Sequence, residues 1–268
     1  MEQIGSSKAP VEESLVRHMV LNTIRANVRK FRGDYGGAIV IACDDRRYWR
    51  KEVFPFYKAH RKQAREDSGH DWESIFECLG KVRDELMQFS PYKVIQIDRA
   101  EADDIIGVLA KLLSPNEKVL ILSSDKDFVQ LQLNPNVHQY SPILKRAIKS
   151  DDPGGQLKEM IIKGDLGDGI PNILSPDNSI VDKIRQKPIT KKRLDEMMNT
   201  VIPLDGNEEQ KRNWARNQQL IDLSCIPKDI VKTIIDRYEE VKPATRNEFT
   251  NYLIAMRLKN LLEVVDEF

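Results

Sequence analysis

Residues 93–128 read KVIQIDRAEADDIIGVLAKLLSPNEKVLILSSDKDF. Within them Lys93–Ile97 and Val119–Leu122 are short apolar runs rich in β-branched residues, and residues 101–113 carry a helical pattern between them. Runs this short and continuous read as strands buried on both faces, as in a parallel sheet. Strand, helix and strand in that order make a βαβ unit. Acid follows each strand. The first runs into Asp98, with Glu101, Asp103 and Asp104 at the helix start, and the second runs into Asp125 and Asp127.

The same grammar extends outward. Ala38–Cys43 (AIVIAC) is a third such run and ends in Asp44-Asp45. Residues 71–89 place Ile75, Leu79, Val82 and Leu86 on one helical face, and Glu12 to Phe31 repeat apolar residues at Val16, Val20, Ile24 and Val28, with Leu15 and Met19 beside them. Val137–Tyr140 is a weaker fourth strand. Beyond about Ser150 the strand signal ends, and residues 156–163, 177–186, 190–200, 208–223, 228–240 and 244–262 read as helices separated by Pro, Gly and Asp turns. The expected fold class is α/β, with a doubly wound parallel sheet over 12–150, a smaller helical part over 151–268 and a polar, disordered lead over 1–11.

Composition narrows the function classes. The 268 residues hold 42 basic and 42 acidic side chains, so no net charge draws the whole molecule to nucleic acid. The charges are segregated instead: Arg46–Arg65 is overwhelmingly basic with aromatics interleaved, while acids cluster at the ends of apolar runs. A cationic surface beside an anionic pocket suits a nuclease. No apolar run approaches the ~20 residues that span a bilayer, and the N-terminus lacks the basic and apolar regions of a secretory signal. Cys43, Cys78 and Cys225 are far apart and the four histidines are scattered, which fits a reducing cytosol and argues against disulfides and structural zinc.

Strands of a parallel sheet deliver their C-terminal ends to one edge, so acids distant in sequence should converge there. A further cluster, Asp165 and Asp168 in KGDLGDGIPN (163–172), lies on a loop that would fold back over that edge. Two carboxylates ~4 Å apart repel by about 4 kcal/mol at an effective dielectric of about 20, so cations or protons must neutralise them. With no thiolate or imidazole cluster nearby, hard Mg²⁺, or Mn²⁺ in its place, fits best, and two such ions would activate a water and stabilise a leaving oxygen. Each acid also has a plain reading. Asp98 suits an N-cap, Glu101, Asp103 and Asp104 suit a helix first turn, and Asp125 and Asp127 suit a turn. Their recurrence at successive strand ends favours a shared metal site. Lys58, Arg61 and Arg65 stand at i, i+3 and i+7, one face of a helix that is either a phosphate-binding surface or merely solvated.

The order AEADD (100–104), SSDKDF (123–128) and KGDLGDGIPN resembles the 5′-nuclease (PIN-like) family of flap endonucleases, polymerase 5′-nuclease domains and phage RNase H. YWRK (48–51), FYKAHRKQARE (56–66), DWESIFE (71–77) and the terminal DEF extend the resemblance across residues 14–268. It implies that Asp44, Glu101, Asp103, Asp125 and Asp127, with Asp104 beside them, form the tighter metal cluster, and that Asp165 and Asp168 form the second. It implies Lys58 and Arg65 as the basic pair that steers the scissile phosphate, and Tyr57 as an aromatic near the entering nucleotide. Arg50, Arg61, Lys62, Lys163, Gly164 and Gly167 complete the expected nucleic-acid contacts, the last three within a helix–turn–helix variant over 159–185 that grips duplex DNA. Many members have Asn where this chain has Gly169 and Gly where it has Asn172, a departure that bears on a cation site in the turn.

The resemblance implies an Mg²⁺-dependent 5′→3′ exonuclease and flap endonuclease with RNase H activity. It would act on branched or flapped DNA and RNA–DNA hybrids and remove RNA primers in the cytoplasm of a phage-infected cell, beside a single-strand-binding protein. Family members open with an apolar strand ending in Asp, and residues 1–14 offer none. The expectation is therefore a truncated chain, a strand supplied by a separate polypeptide, or lost catalysis, with poor stability or an obligate partner. The competing classes are a catalytically inactive DNA-junction binder and a phosphatase or receiver domain, the latter opposed by the absence of a D-x-D-x-T/V signature.

Overall fold

The computed structural model describes residues 12–200 and 208–268, and the expected lead over 1–11 lies outside them. In chain order the first elements are α1 (Glu13–Tyr35), β1 (Val40–Cys43), α2 (Trp49–Val53), α3 (His60–Asp67), α4 (Trp72–Phe89) and β2 (Lys93–Gln96). Then come α5 (Ala102–Leu113), β3 (Val119–Leu122), a 3-10 helix (Lys126–Leu133), β4 (Val137–Ser141), β5 (Arg146–Ile148) and α6 (Pro153–Lys163). The remainder is helical: α7 (Lys191–Asn199), α8 (Glu208–Ile221), α9 (Lys228–Glu240), α10 (Arg246–Ala255) and α11 (Lys259–Leu262), with a last 3-10 turn, Val265–Glu267. The α/β character and the helical C-terminal part follow the sequence reading.

The chain divides into two compact units by its internal contacts. One takes the residues up to Cys43 with Arg65–Gln96 and Asp236–Phe268, and the other takes Asp44–Ala64 and Ile97–Ile235. The last helices join the N-terminal ones because they cover their apolar faces. In the first unit Val16, Leu21 and Val28 of α1, Cys78, Val82 and Leu86 of α4, and Phe249, Tyr252 and Leu253 of α10 share one core. Each large apolar side chain buried there contributes about 1.5–3 kcal/mol. Arg17, buried beside that core, donates from Nε and Nη2 to Glu85, 2.6 and 2.7 Å away, and Tyr252 donates to the same carboxylate. Asp71, the N-cap of α4, accepts the Ser74 amide hydrogen.

The expected single sheet is two. β1 pairs parallel with β2, from Val40↔Lys93 to Cys43↔Gln96, in the first unit. In the second, β3 pairs parallel with β4 and β4 antiparallel with the short β5. The second unit's largest core gathers Phe54, Tyr57, Ile161, Ile162, Ile170, Ile173 and Trp214, and a smaller one packs Ala110 of α5 against Ile121, Phe128 and Val137.

Residues 177–186, expected as a helix, form turns. Asn178 donates to Asp182 at 2.6 Å, Asp177 is held by Arg212 and Arg216, and Lys183 adopts φ +54°. Short polar side chains that bond locally compete with helix formation, and a left-handed residue ends it. The helix–turn–helix variant expected over 159–185 therefore keeps only its first helix, α6.

Candidate metal and nucleic-acid site

All the singled-out acids fall in the second unit, as do Arg50, Tyr57, Lys58, Arg61, Lys62, Lys163, Gly164 and Gly167; Arg65 falls in the first. The N-terminus of α5 organises the densest group. Glu101 is its N-cap residue, and Asp104 accepts the Glu101 amide hydrogen at 2.9 Å. Asp44, arriving from the end of β1, accepts the Ala102 amide hydrogen at 2.7 Å. Helix N-termini favour such acids because their amides lack partners.

Two of these acids are buried ion-pair partners. Arg50 places Nη1 2.8 Å from Glu101 and Nη2 2.8 Å from Asp104, and its Nε donates to the Leu220 carbonyl. Lys58 Nζ lies 2.6 Å from the other Glu101 oxygen, and the Tyr57 hydroxyl lies 2.9 Å from Glu101 and 2.8 Å from Asp168, with one hydrogen to donate between them. Trp49 Nε1 donates to Asp104. Burial opposes ionisation of Glu101, but Lys58 and Arg50 outweigh it and hold its carboxyl below the ordinary value. Burial likewise opposes the Lys58 ammonium, and Glu101 and Asp168 outweigh it and raise its pKa.

This network bears on three expectations. Arg50 and Tyr57, expected to contact nucleic acid, are 3% and 2% exposed and spend their polar groups on carboxylates. Glu101, expected as a metal ligand, has both oxygens engaged by Arg50, Tyr57 and Lys58. Lys58 itself adopts φ +54° and precedes α3, so the regular face expected for Lys58, Arg61 and Arg65 is not formed. Lys62 is exposed, and Arg65 sets its guanidinium over the Phe76 ring, 5.7 Å from its centroid.

Asp103 and Asp127 are different. Burial, with Asp125 and Glu101 adding repulsion against the pull of Lys58, pushes the Asp103 carboxyl up to about 7. Burial and then Asp125, Asp165 and Asp168 push Asp127 up to about 8. Asp125 caps the 3-10 helix, accepting the Asp127 amide hydrogen at 3.0 Å. Gln139 of β4 donates to the Ser123 and Asp125 carbonyls and fixes that loop. Its role was missed in the sequence, although a polar residue at an inward strand position was the available signal.

Asp165 and Asp168 sit on a tight turn closed by a two-way backbone bridge between Asp165 and Ile170. Gly164 opens it at φ +68°. Gly169, at φ +74°, lets the turn approach the chain before α3, where a Cβ would stand 2.9 Å from the Phe56 carbonyl. The Lys58 amide then donates to the Asp168 carbonyl at 2.7 Å. Arg61 Nη2 lies 2.7 Å from Asp168, and Lys126 Nζ lies 2.6 Å from Asp165. Lys163 pairs with Glu159.

Among the described residues no group of three or more Asp, Glu, His or Cys side chains forms a finished cation cage. The fit to a cation rests on chemistry. Asp127 Oδ1 is buried without a hydrogen-bond partner, an acceptor that has lost water and gained nothing. The donors around it are carboxylate oxygens, which suit hard divalent ions. Among the described residues no helix is long and apolar enough to cross a membrane.

Comparison with known proteins agrees with this architecture. Residues 10–158 match the family described as 5′-3′ exonuclease, N-terminal resolvase-like domain, and residues 155–268 match that of the T4 RNase H C-terminal region. The chain is 33% identical to ribonuclease H of Enterobacteria phage T4, over 97% of this chain and 89% of that one. It is 30% identical to a flap endonuclease of Shewanella loihica over 47% of this chain and 48% of that one. Among solved structures it resembles the 5′-exonuclease of bacteriophage T5 with bound zinc, at TM-score 0.61 and 19% identity over 88% of this chain and 93% of that one. A T5 flap endonuclease complex with DNA and metal ions gives TM-score 0.58 at 19% identity, over 88% of this chain and 93% of that one. The chain belongs to the 5′-3′ exonuclease family, a nuclease family whose members carry the names ribonuclease H, 5′-3′ exonuclease and flap endonuclease.

Proposed function

We propose that this chain is an Mg²⁺-dependent 5′→3′ exonuclease and flap endonuclease with RNase H activity. It hydrolyses phosphodiesters in RNA–DNA hybrids and flapped or branched DNA, removing RNA primers and 5′ flaps during replication in a phage-infected cell. The observation that carries this reading is the pair of half-buried carboxyls, Asp103 and Asp127, which burial and neighbouring acids push up to about 7 and about 8 despite the opposing pull of Lys58 and Lys126. A cation bound there would take the place of their protons.

Asp44, Asp103, Asp125 and Asp127 would hold a first ion, and Asp165 and Asp168 a second. Bound divalent ions supply an activated water and neutralise charge on the leaving oxygen. Lys58, aimed by Glu101, binds and polarises the scissile phosphate, and Arg61 and Lys62 hold backbone phosphates without base preference. Arg50 and Tyr57 are positioning residues, because they fix Glu101 without reaching solvent. The products are a 5′-phosphate and a 3′-hydroxyl.

Replacing Asp103 with Asn tests the assignment. Cleavage should fall by about a thousandfold or more, in line with losing a group that acts in the transition state, while DNA binding changes only a few-fold. Cleavage at the wild-type rate removes Asp103 from the mechanism. Metal-independent binding to branched DNA with no cutting by the unaltered chain would favour the junction binder instead.

A further inference from the structure

Lys126 stands between two of the acids in sequence, Asp125 and Asp127, yet its ammonium goes to neither. It pairs with Asp165, 2.6 Å away, while its own side chain stays 61% exposed. Asp165 is nearly enclosed. Its side chain is 12% exposed, and its Oδ1 accepts the Asp168 amide hydrogen at 3.1 Å, so Oδ2 is the oxygen left to face a cation. Lys126 Nζ occupies that oxygen. The neighbouring acid of the turn, Asp168, is served by other groups: Arg61 at 2.7 Å, Tyr57 through its hydroxyl at 2.8 Å and Lys58 at 3.6 Å.

We propose that Lys126 is a tethered competitor for the second divalent ion, so that Asp165 accepts either the chain's own ammonium or a metal, but not both. The inference rests on the nuclease reading above, which places a second ion at Asp165 and Asp168. Its physical basis is simple competition. An ammonium and a divalent ion both seek the same carboxylate lone pairs, and a site already neutralised binds the ion more weakly by the free energy of breaking the pair. Lysine suits the task because its stem is long, flexible and solvent-reaching, so the head can leave Asp165 without disturbing the turn. First-ion binding at Asp103, Asp125 and Asp127 should change less, because Lys126 makes its ion pair with Asp165 and acts on Asp125 and Asp127 only through longer-range attraction. The metal sites are then unequal by design of this one side chain, the first tight and the second weak.

Titration calorimetry with Mn²⁺ on the purified 268-residue chain tests this without any need for activity. Wild type should bind one ion tightly and a second weakly. Lys126→Ala should tighten the second step about tenfold and change the first far less, and Lys126→Arg, which keeps a cation over Asp165, should behave as wild type. The double variant Lys126→Ala/Asp165→Asn should lose the gain. Because Lys126 is exposed, the variants should fold normally, and circular dichroism checks that they do. Equal second-step affinity in wild type and Lys126→Ala, with the first step intact, overturns the proposal and leaves the nuclease reading standing. Absence of Mn²⁺ binding in every variant overturns both.

Discussion

Arg50 Nη1 donates to Glu101 Oε2 across 2.8 Å, and neither side chain is more than 3% exposed. Buried charge of this kind survives only when every member is paired. Arg50 also forms an ion pair with Asp104 and donates to the Leu220 carbonyl, so one guanidinium neutralises or bonds groups from two stretches of chain.

Removing that guanidinium takes from Asp104 its ion-pair partner and from the Leu220 carbonyl its donor, while Glu101 keeps Lys58. Arg50→Ala should destabilise the protein by about 3–5 kcal/mol, the usual effect of breaking a buried pair from one side. Urea denaturation followed by circular dichroism checks it, and a loss below about 1 kcal/mol would mean that water or Lys58 replaces Arg50.

The acids at Asp103 and Asp127 predict a pH dependence of the opposite kind to ordinary acid denaturation. Unfolded, both titrate near about 4; folded, they titrate near about 7 and about 8. The folded state therefore holds protons that the unfolded state has lost. Their contribution to stability is full below about pH 4 and is lost as pH rises through 7 to 8. Glu101 and Asp165, whose pKa values are lowered, lose their contribution at the acid end instead, so the informative window lies above pH 5. In EDTA the melting temperature should fall between pH 5.5 and 8.5, and millimolar Mg²⁺ should restore it most at the upper end. A metal-free melting temperature that stays level or rises across that window contradicts the assignment.

Gly164 sets the turn that carries Asp165 and Asp168. At φ +68° a side chain is strained, and a Cβ would stand 2.3 Å from the Ile170 carbonyl oxygen. Gly164→Ala should cost well over the about 1 kcal/mol typical of a left-handed position, because the clash adds to the strain. It should also weaken the second Mn²⁺ step while sparing the first. Unchanged thermal stability would show that the turn relaxes freely.

Much of this organisation was legible in the sequence because it is local. Lys93–Ile97 and Val119–Leu122 announced their strands by unbroken apolar runs, and the acids following them were visible on the page. Stripes at four-residue spacing placed α1 and α4, although Leu15, read as flanking the α1 stripe, is 50% exposed and Leu21 is the buried residue. What stayed hidden depends on distant partners. Nothing near Arg50 says that its guanidinium lies under Glu101 and Asp104, some fifty positions away, so a buried clamp read as a surface cation. Lys58, Arg61 and Arg65 kept helical spacing on paper, but Lys58 takes a left-handed backbone conformation that spacing cannot reveal. β5 has only three residues, too few for alternation to register. The stretch 177–186 carries helix-compatible residues whose side chains bond locally instead.

On the proposed reading, Asp103 and Asp127 serve metal-dependent phosphodiester cleavage. The direct measurement is incubation of the purified chain with a 5′-labelled flap and an RNA–DNA hybrid, in Mg²⁺ and in EDTA, beside Asp103→Asn. Short 5′ products should form in Mg²⁺ only and be lost in the variant. Binding of both substrates without cleavage at any Mg²⁺ concentration would contradict it.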